Sequence, residues 1–298
     1  MPGFEFTLLA SFGQPIAALA WEPSRVSLRI FMQNGREILI DTGRNLTTPG
    51  DRDVPVVEDV EQLEWSPCGR YLAILRHGKV DIWNAQKRKL VTSPAAWSRI
   101  ERIAWRPNPV GSEGQLSLAT ACGLVLWSAE GQFDRRFQQP AFGATALSWD
   151  PTGTWLAIGC GRSGLHVWNA RTSQCIRLGP GGLHQLALGS NGATLAGASA
   201  NSLFAWNIRG AIHGRTVADW IRDLDSPISR LAFRPGNNIF AAGNIHGEVQ
   251  LWRAIKAGGL LRSADLGTPV IHLAWSANGK HLAAATRSGN AYAARVCR

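Results

Sequence analysis

The residues able to do chemistry here are a serine and histidine in one short stretch, scattered carboxylates, seven histidines, five cysteines and an excess of arginine. Ser163 and His166 share GRSGLHVW (161–168). A nucleophile and its base need such a pairing within hydrogen-bond reach. The same stretch is one copy of a repeat that already accounts for it as a turn, so it is not read as a catalytic pair. No G-x-S-x-G, Walker A, H-E-x-x-H or C-x-x-C motif occurs. Glu101, Asp134, Asp219, Asp223 and Asp225 fall on different repeats or loops, and nothing selects two of them for acid–base work. The histidines (77, 166, 184, 213, 246, 272 and 281) match no metal-ligand spacing. The cysteines (68, 122, 160, 175 and 297) are odd in number and unpaired in spacing, which reads as free thiols in a reducing cytoplasm. The expectation is a non-enzyme with no cofactor, no catalytic residue and no motif-defined metal site.

What remains is charge. The 298 residues carry a formal net charge of +10, and 26 of the 31 basic residues are arginine. Basic charge favours acidic partners or nucleic acid and says nothing about fold. Arginine suits carboxylate and phosphate recognition, although base composition of the genome gives the same bias. The densest basic stretch is QKRKL at 86–90. The N-terminus, MPGFEFTLLASFGQP, lacks a basic region and carries Glu5 where an apolar signal core would sit. No apolar run approaches the length of a membrane span.

The elements that position these residues come from a repeat. Copies begin near Ile16, Val60, Ile100, Ala144, Leu183, Ile228 and Val270. Each opens with an apolar run ending at Trp21, Trp65, Trp105, Trp149, Leu188, Phe233 or Trp275, spaced 44, 40, 44, 39, 45 and 42 residues apart. A Pro/Gly/Asn turn such as SPCG or DPTG follows, then a small-residue strand such as YLAIL or IFAAG. A Gly-containing turn leads to a third strand ending in Trp83, Trp127, Trp168, Trp206 or Trp252. A more polar fourth strand follows, such as RKLVT or QCIRL. Four strands per 40–45 residues, seven times, predict an all-β, seven-bladed β-propeller with four-stranded antiparallel blades. Residues 1–298 read as a single such propeller.

The pattern LAWSPxGxxLA…GxVxLW resembles that of WD40-repeat proteins over essentially the whole chain, as a divergent member of bacterial type. Departures are plain. Asn84, Ser128, Asn169, Asn207 and Arg253 stand after the third-strand Trp, and no blade has Gly-His before its first strand. The buried His–Ser/Thr–Asp–Trp network of the family therefore cannot form as such, and blades must rely on apolar and aromatic packing. Residues 4–12 are expected to supply the outer strand of blade 7, closing the last blade with the N-terminus. The irregular stretch 44–59 reads as an outer strand plus loop. In the insertion at 208–227, Val217, Trp220, Ile221 and Leu224 have helix-like spacing, giving a short helix or a decorated outer strand.

Naming the strands a to d, the resemblance implies that the face built from d–a and b–c loops docks partners. Those loops carry Arg76, Lys79, Trp97, Arg99, Arg162, His246 and Arg287, the expected partner-binding residues, with Arg102 and Arg230 nearby on strand a. Trp97 beside Arg99 has the composition of a binding hot spot, or it caps a blade joint. The expected partner is another protein with an acidic surface or peptide, bound by a monomeric scaffold in the cytoplasm, with no membrane involved. One alternative is nucleic-acid binding through scattered arginines. Another is metal handling by histidines near the channel, His77, His184, His246 and His272.

Overall fold

The computed structural model describes residues 4–21, 27–44, 46–50, 59–92, 98–107, 114–128, 133–137, 143–161, 163–179, 181–189, 192–213, 216–255 and 259–296. Among these, the strands make seven four-stranded sheets, and the fold is an all-β, seven-bladed propeller. Contacts divide the chain into two compact units. The first comprises residues 1–58, 200–202 and 222–298, and contains blades 6, 7 and 1. The second comprises residues 59–199 and 203–221, and contains blades 2 to 4 and most of blade 5.

Within a blade the order is a-b-c-d, each strand antiparallel to the next. Blade 3 runs Ile100–Arg106, Gln115–Thr120, Gly123–Ser128 and Phe133–Phe137. Strands b and c are covered on both faces, which is why they read as unbroken apolar runs rather than alternating ones. In blade 2, Tyr71–Leu75 and Val80–Ile82 are buried throughout, while the fourth strand Lys89–Thr92 is largely exposed. In the second unit Tyr71, Leu75 and Val80 of blade 2 pack with Ile103, Trp105 and Leu116 of blade 3. In the first unit Val249 and Leu251 of blade 6 pack with Leu282 and Ala294 of blade 7. The small residues of strand b permit this approach: a Cβ on Gly243 would lie 2.6 Å from Val270 Cγ1.

The N-terminal segment forms the fourth strand of blade 7. Thr7–Ser11 pairs with Asn290–Arg295, Thr7 opposite Ala293 and Ser11 opposite Asn290. Phe4 and Phe6 pack into the Val249–Leu282 cluster and meet edge to face at 5.2 Å. The outer strand expected in 44–59 is Leu46–Pro49, paired with Glu37–Asp41, and residues 51–58 lie outside the described set. The insertion at 208–227 resolves into both readings at different places. A one-turn helix spans Ile208–Ile212, started by Asn207 Oδ1 accepting from Gly210 N. The helix-spaced stretch is instead extended, with Trp220–Asp223 as the fourth strand of blade 5. Only Trp220 of that apolar set is buried, at 5%, whereas Val217 and Ile221 are 68% and 51% exposed. A helix would have had no core to face, and strand pairing satisfied the backbone instead.

One repeated device is absent from any simple hydrophobic pattern. In blades 1, 3, 4, 6 and 7 the second residue of strand a is skipped in the pairing, which makes a β-bulge at Ala17, Glu101, Thr145, Ser229 and Ile271. Where this residue is polar it reaches the next blade. Ser229 Oγ donates to Val270 O at 2.7 Å, Thr145 Oγ1 donates to Leu183 O, and Glu101 Oε2 accepts from Ala144 N at 2.7 Å.

Candidate functional site

The cationic corner of the second unit is built on the b–c turn of blade 2. Strand b ends at Arg76 and strand c begins at Lys79, directly opposite each other. Between them His77 and Gly78 both have positive φ, 48° and 69°. That is the requirement of the tightest two-residue hairpins, whose twist matches the strands. Lys79 is exposed. Arg76 is half exposed and committed: its Nε and Nη2 donate to Asp81 Oδ2 at 3.0 and 2.8 Å, while Thr92 Oγ1 donates to Asp81 Oδ1 at 2.6 Å. Asp81 is buried, so Arg76 answers a charge that would otherwise be stranded.

Arg99, in the loop entering blade 3, lies on the same corner. A Cβ on Gly78 would fall 2.6 Å from Arg99 Cγ, so the arginine stem rests on that glycine. Ile100 N donates to Gly78 O at 2.9 Å and fixes the loop there. The guanidinium of Arg99 is 67% exposed and lies 3.5 Å from Glu61 Oε1. His77 Nε2 lies 3.7 Å from Asp59 Oδ2, both largely exposed. The corner thus brings Arg76, Lys79 and Arg99 together, with Asp59 and Glu61 interleaved. Trp97 and Arg162 lie outside the described residues.

The first unit carries the other two expected residues, on the b–c turns of blades 6 and 7. His246 and Arg287 are both exposed. The His246 turn is wound around Asn244, whose Oδ1 accepts from His246 N at 3.0 Å and Glu248 N at 2.9 Å. These rim turns are held from two sides. Gln33 N, Ile245 N and Arg287 N donate to Pro15 O, Pro227 O and Pro269 O, the prolines that open strand a of the same blades. Phe12 N and Leu266 N donate to Gly289 O and Gly247 O, tying the incoming loop to the preceding blade's turn. Gly289 has φ 80°, and a Cβ there would sit 2.3 Å from Gln14 O. The turn glycine therefore permits both the conformation and the close approach. Side chains add Asn34 Nδ2 donating to Gln14 Oε1 at 2.8 Å and a Thr268–Ser288 hydroxyl contact at 3.2 Å.

Further inward, Arg102, Arg230 and His272 occupy the same position of strand a, one past the bulge. Arg102 Nε donates to Thr145 O at 2.8 Å and Nη1 to Glu101 O at 2.7 Å. Arg230 Nη1 donates to Ser229 O at 2.7 Å. His272 keeps some accessible surface as a residue. Burial of its ring, aided by the Arg230 charge, pushes the imidazole down to about 3, against hydrogen bonds to the backbone of Ile16 and Ala17 that raise it. It is neutral at physiological pH and braces backbone.

The structure gives the Ser163–His166 stretch a packing role. His166 is buried, and its Nε2 donates to the backbone carbonyl of Ser163 at 2.9 Å. Nδ1 faces Cys175 Sγ at 4.0 Å. Burial pushes the Cys175 thiol up to about 11, with Cys160 adding to the rise, which opposes thiolate chemistry. Among the described residues, no three His, Cys, Asp or Glu side chains are grouped to hold a metal ion. No helix among them is long and apolar enough to cross a membrane.

Comparisons with known proteins agree on the architecture. The family model "WD domain, G-beta repeat" (WD40) matches residues 131–169. A curated relative, "Cell division cycle 20.1, cofactor of APC complex" of Arabidopsis thaliana, is 25% identical over 229 residues. That match covers 75% of this chain and 41% of the relative, so the chain spans about two fifths of that protein's length. Among solved structures, a chain of the "Crystal Structure of Mitotic Checkpoint Complex" superposes with a TM-score of 0.73 at 16% identity, covering 99% of this chain and 91% of its own. U3-55K gives 0.74 at 17%, covering 98% of each chain. The RRP9 WD40 repeats give 0.73 at 17%, covering 98% of this chain and 97% of theirs.

Proposed function

We propose that this chain, a divergent WD40-repeat β-propeller, is a non-enzymatic scaffold that docks an acidic protein segment at the cationic rim of its b–c and d–a loops. The observation that carries this reading is the rim's backbone stitching. Turns hydrogen-bonded from both sides lose little freedom on binding, which is how a preformed surface gains affinity. In the second unit Lys79 and Arg99 stand exposed at the blade 2 corner, which Ile100 N donating to Gly78 O holds in place; in the first unit, taken by itself, His246 and Arg287 stand exposed on the stitched turns of blades 6 and 7. The names of its relatives favour the same class: one is a cofactor of a complex, and one solved neighbour comes from a multi-protein checkpoint assembly. The scaffold is proposed to act as a cytoplasmic monomer. Arg76 serves mainly to hold Asp81, so Lys79 and Arg99 are assigned the steering and pairing.

The test is the double charge reversal K79E/R99E, with tagged wild type and variant used to capture partners from nuclease-treated host extract. A discrete protein set captured by wild type and lost by the variant, at unchanged melting temperature, supports the rim. An unchanged set moves the docking site elsewhere. Arg76 is left intact because reversing it would strand buried Asp81 and confuse folding with binding.

A further inference from the structure

The first unit carries cations of a different kind at the end of blade 7 opposite its b–c turn. The a–b turn runs through Ser276 and Lys280, and His281 opens strand b directly opposite Arg295, the last residue of strand c. Residues so opposed share a face, with Cβ atoms about 4.5–5.5 Å apart. The turn is wound on Ser276, whose Oγ accepts from His281 N at 3.0 Å and donates to Asn278 Oδ1 at 2.8 Å. Asn278 Oδ1 in turn accepts from Lys280 N at 2.9 Å. Val296 N donates to Lys280 O at 2.8 Å, which ties the end of strand c to the turn. Lys280 and Arg295 are exposed, and His281 is half-buried.

This joint departs from its counterparts. In blades 3 and 6 the residue after strand a is an arginine, Arg106 or Arg234. Each lies over the next blade's strand-a tryptophan and donates to a carbonyl of that blade's a–b turn. In blade 7 that place holds Ser276. The strand-a tryptophan of blade 1, Trp21, has His281 against it instead, with ring centroids 5.8 Å apart and planes tilted by 36°. The cations near this joint are therefore not committed to closing it. Among the described residues the side chains of Lys280 and Arg295 enter no hydrogen bond or ion pair, and Glu5, the acid that precedes strand d, is paired with neither.

Both charges reach the imidazole. Burial first, then Arg295 and Lys280, lower His281 from its ordinary value, so it is neutral at pH 7.5. Its Nδ1 is buried with no hydrogen-bond partner among the described residues. A buried N–H without an acceptor is avoided more strictly than a buried acceptor without a donor, which places the proton on Nε2.

We propose that Lys280, Arg295 and the Nε2–H of His281 form a binding site for a phosphate group. Two cations balance a dianion, and donors from three side chains match its three terminal oxygens. A carboxylate brings one charge and two oxygens and leaves a cation over. The cluster spans one strand pair and one turn, so it takes a single group and not a polymer.

The test follows the His281 ring by NMR at pH 7.5, its signal assigned by its loss in H281Q, as inorganic phosphate is added at constant ionic strength. Acetate is the control anion. A pentapeptide with one phosphoserine and no other charged side chain is the second probe. Phosphate should shift the signal saturably, and acetate should not. K280Q/R295Q should weaken the phosphate response at least about tenfold at unchanged melting temperature, for two lost charge-assisted hydrogen bonds. Saturation by the peptide at lower concentration than by phosphate supports the site with a phosphorylated protein as the source of the group. Equal saturation supports it with the free anion as the source. An acetate response equal to that of phosphate overturns the proposal. So does a phosphate response that the double variant keeps, or the lack of any saturable response.

Discussion

Trp105 and Trp206 lie in the same unit, one on strand a of blade 3 and one on strand c of blade 5, both almost fully buried. Their indole nitrogens are treated differently. Trp105 Nε1 donates to Glu64 O of blade 2 at 2.9 Å. Trp206 Nε1 is buried with no hydrogen-bond partner among the described residues, and its ring stacks on Phe204 at 5.5 Å and 11°. The contrast recurs. On strand a, Trp149 Nε1 donates to Ser117 Oγ at 2.8 Å, Trp21 Nε1 to Ala274 O at 2.9 Å and Trp275 Nε1 to Ala232 O at 3.0 Å, each reaching the preceding blade. On strand c, Trp83 Nε1 is buried with no hydrogen-bond partner among the described residues, and Trp252 Nε1 turns to Gln250 of its own strand at 3.0 Å. Four strand-a tryptophans, Trp21, Trp105, Trp149 and Trp275, fasten blades together, while the strand-c column fills them.

The largest effect belongs to the filling column. Trp168 is 0% exposed and meets Trp149 edge to face at 6.1 Å. Trp168→Ala should cost on the order of 3–5 kcal/mol, from lost transfer energy plus the cavity. Chemical denaturation would read this as a lower midpoint at similar slope. A cost near 1 kcal/mol would mean that blades 3 and 4 collapse into the gap and the column is not rigid filler.

The blade repeat and both tryptophan columns were legible in the sequence because burial imposes a period, and a period survives divergence. The stitches were not. Thr145 and Ser229 look like ordinary polar residues interrupting an apolar strand, and only the bulge aims them at the next blade. A hydroxyl recurring at the second place of strand a, in ATALSW and ISRLAF, is the signal that could have exposed them. Arg76 was legible as a rim cation, but its commitment to Asp81 depends on hairpin register, which sets the two on neighbouring strands. Trp220 illustrates the converse: one of the helix-spaced apolar residues of the insertion, it is buried at 5% as part of an outer strand. Helix-like spacing there reflected chance more than a face.

Acid should act on the strand-a side. In the first unit His272 is held neutral, at about 3 against an ordinary 6.5. The unfolded chain therefore binds the extra proton first. Stability should be full above about 6.5 and fall as pH drops towards 3, by at most about 1.4 kcal/mol per unit. Burial lowers His166 and His281 as well, adding to the same limb. His272→Asn should flatten this limb in denaturation curves collected from pH 7 to 4. An equally steep limb in the variant would assign it to carboxylates.

The fastening role extends to arginine. Arg234 follows strand a of blade 6, is 7% exposed, and donates to Gly279 O at 2.6 Å and Val296 O at 3.0 Å while lying over Trp275. Arg106 repeats this in the second unit, with Nε on Gly153 O at 2.7 Å over Trp149. Arg234→Met keeps much of the stem and strands two carbonyls, for an expected loss of about 2 kcal/mol. A neutral result would reduce this arginine to packing.

The smallest effect is the sharpest. Trp105→Phe and Trp206→Phe remove similar volume from buried sites in one unit, so the cavity cost is common to both. They differ in the hydrogen bond. Trp105→Phe leaves the Glu64 carbonyl without its donor, whereas Trp206→Phe removes an N–H that was already buried unsatisfied, a change that costs nothing in hydrogen bonding and relieves a desolvation penalty. The strand-a variant should be the less stable by about 1 kcal/mol, measured as the difference between the two midpoints at equal slope. Using the difference also cancels most of the error in either extrapolation. If the two variants lose equally, the strand-a bonds add nothing beyond packing, and the two columns are one device. If the strand-c variant loses more, stacking on Phe204 outweighs the stranded N–H, and the blade interior, not the joint between blades, sets the stability of this propeller.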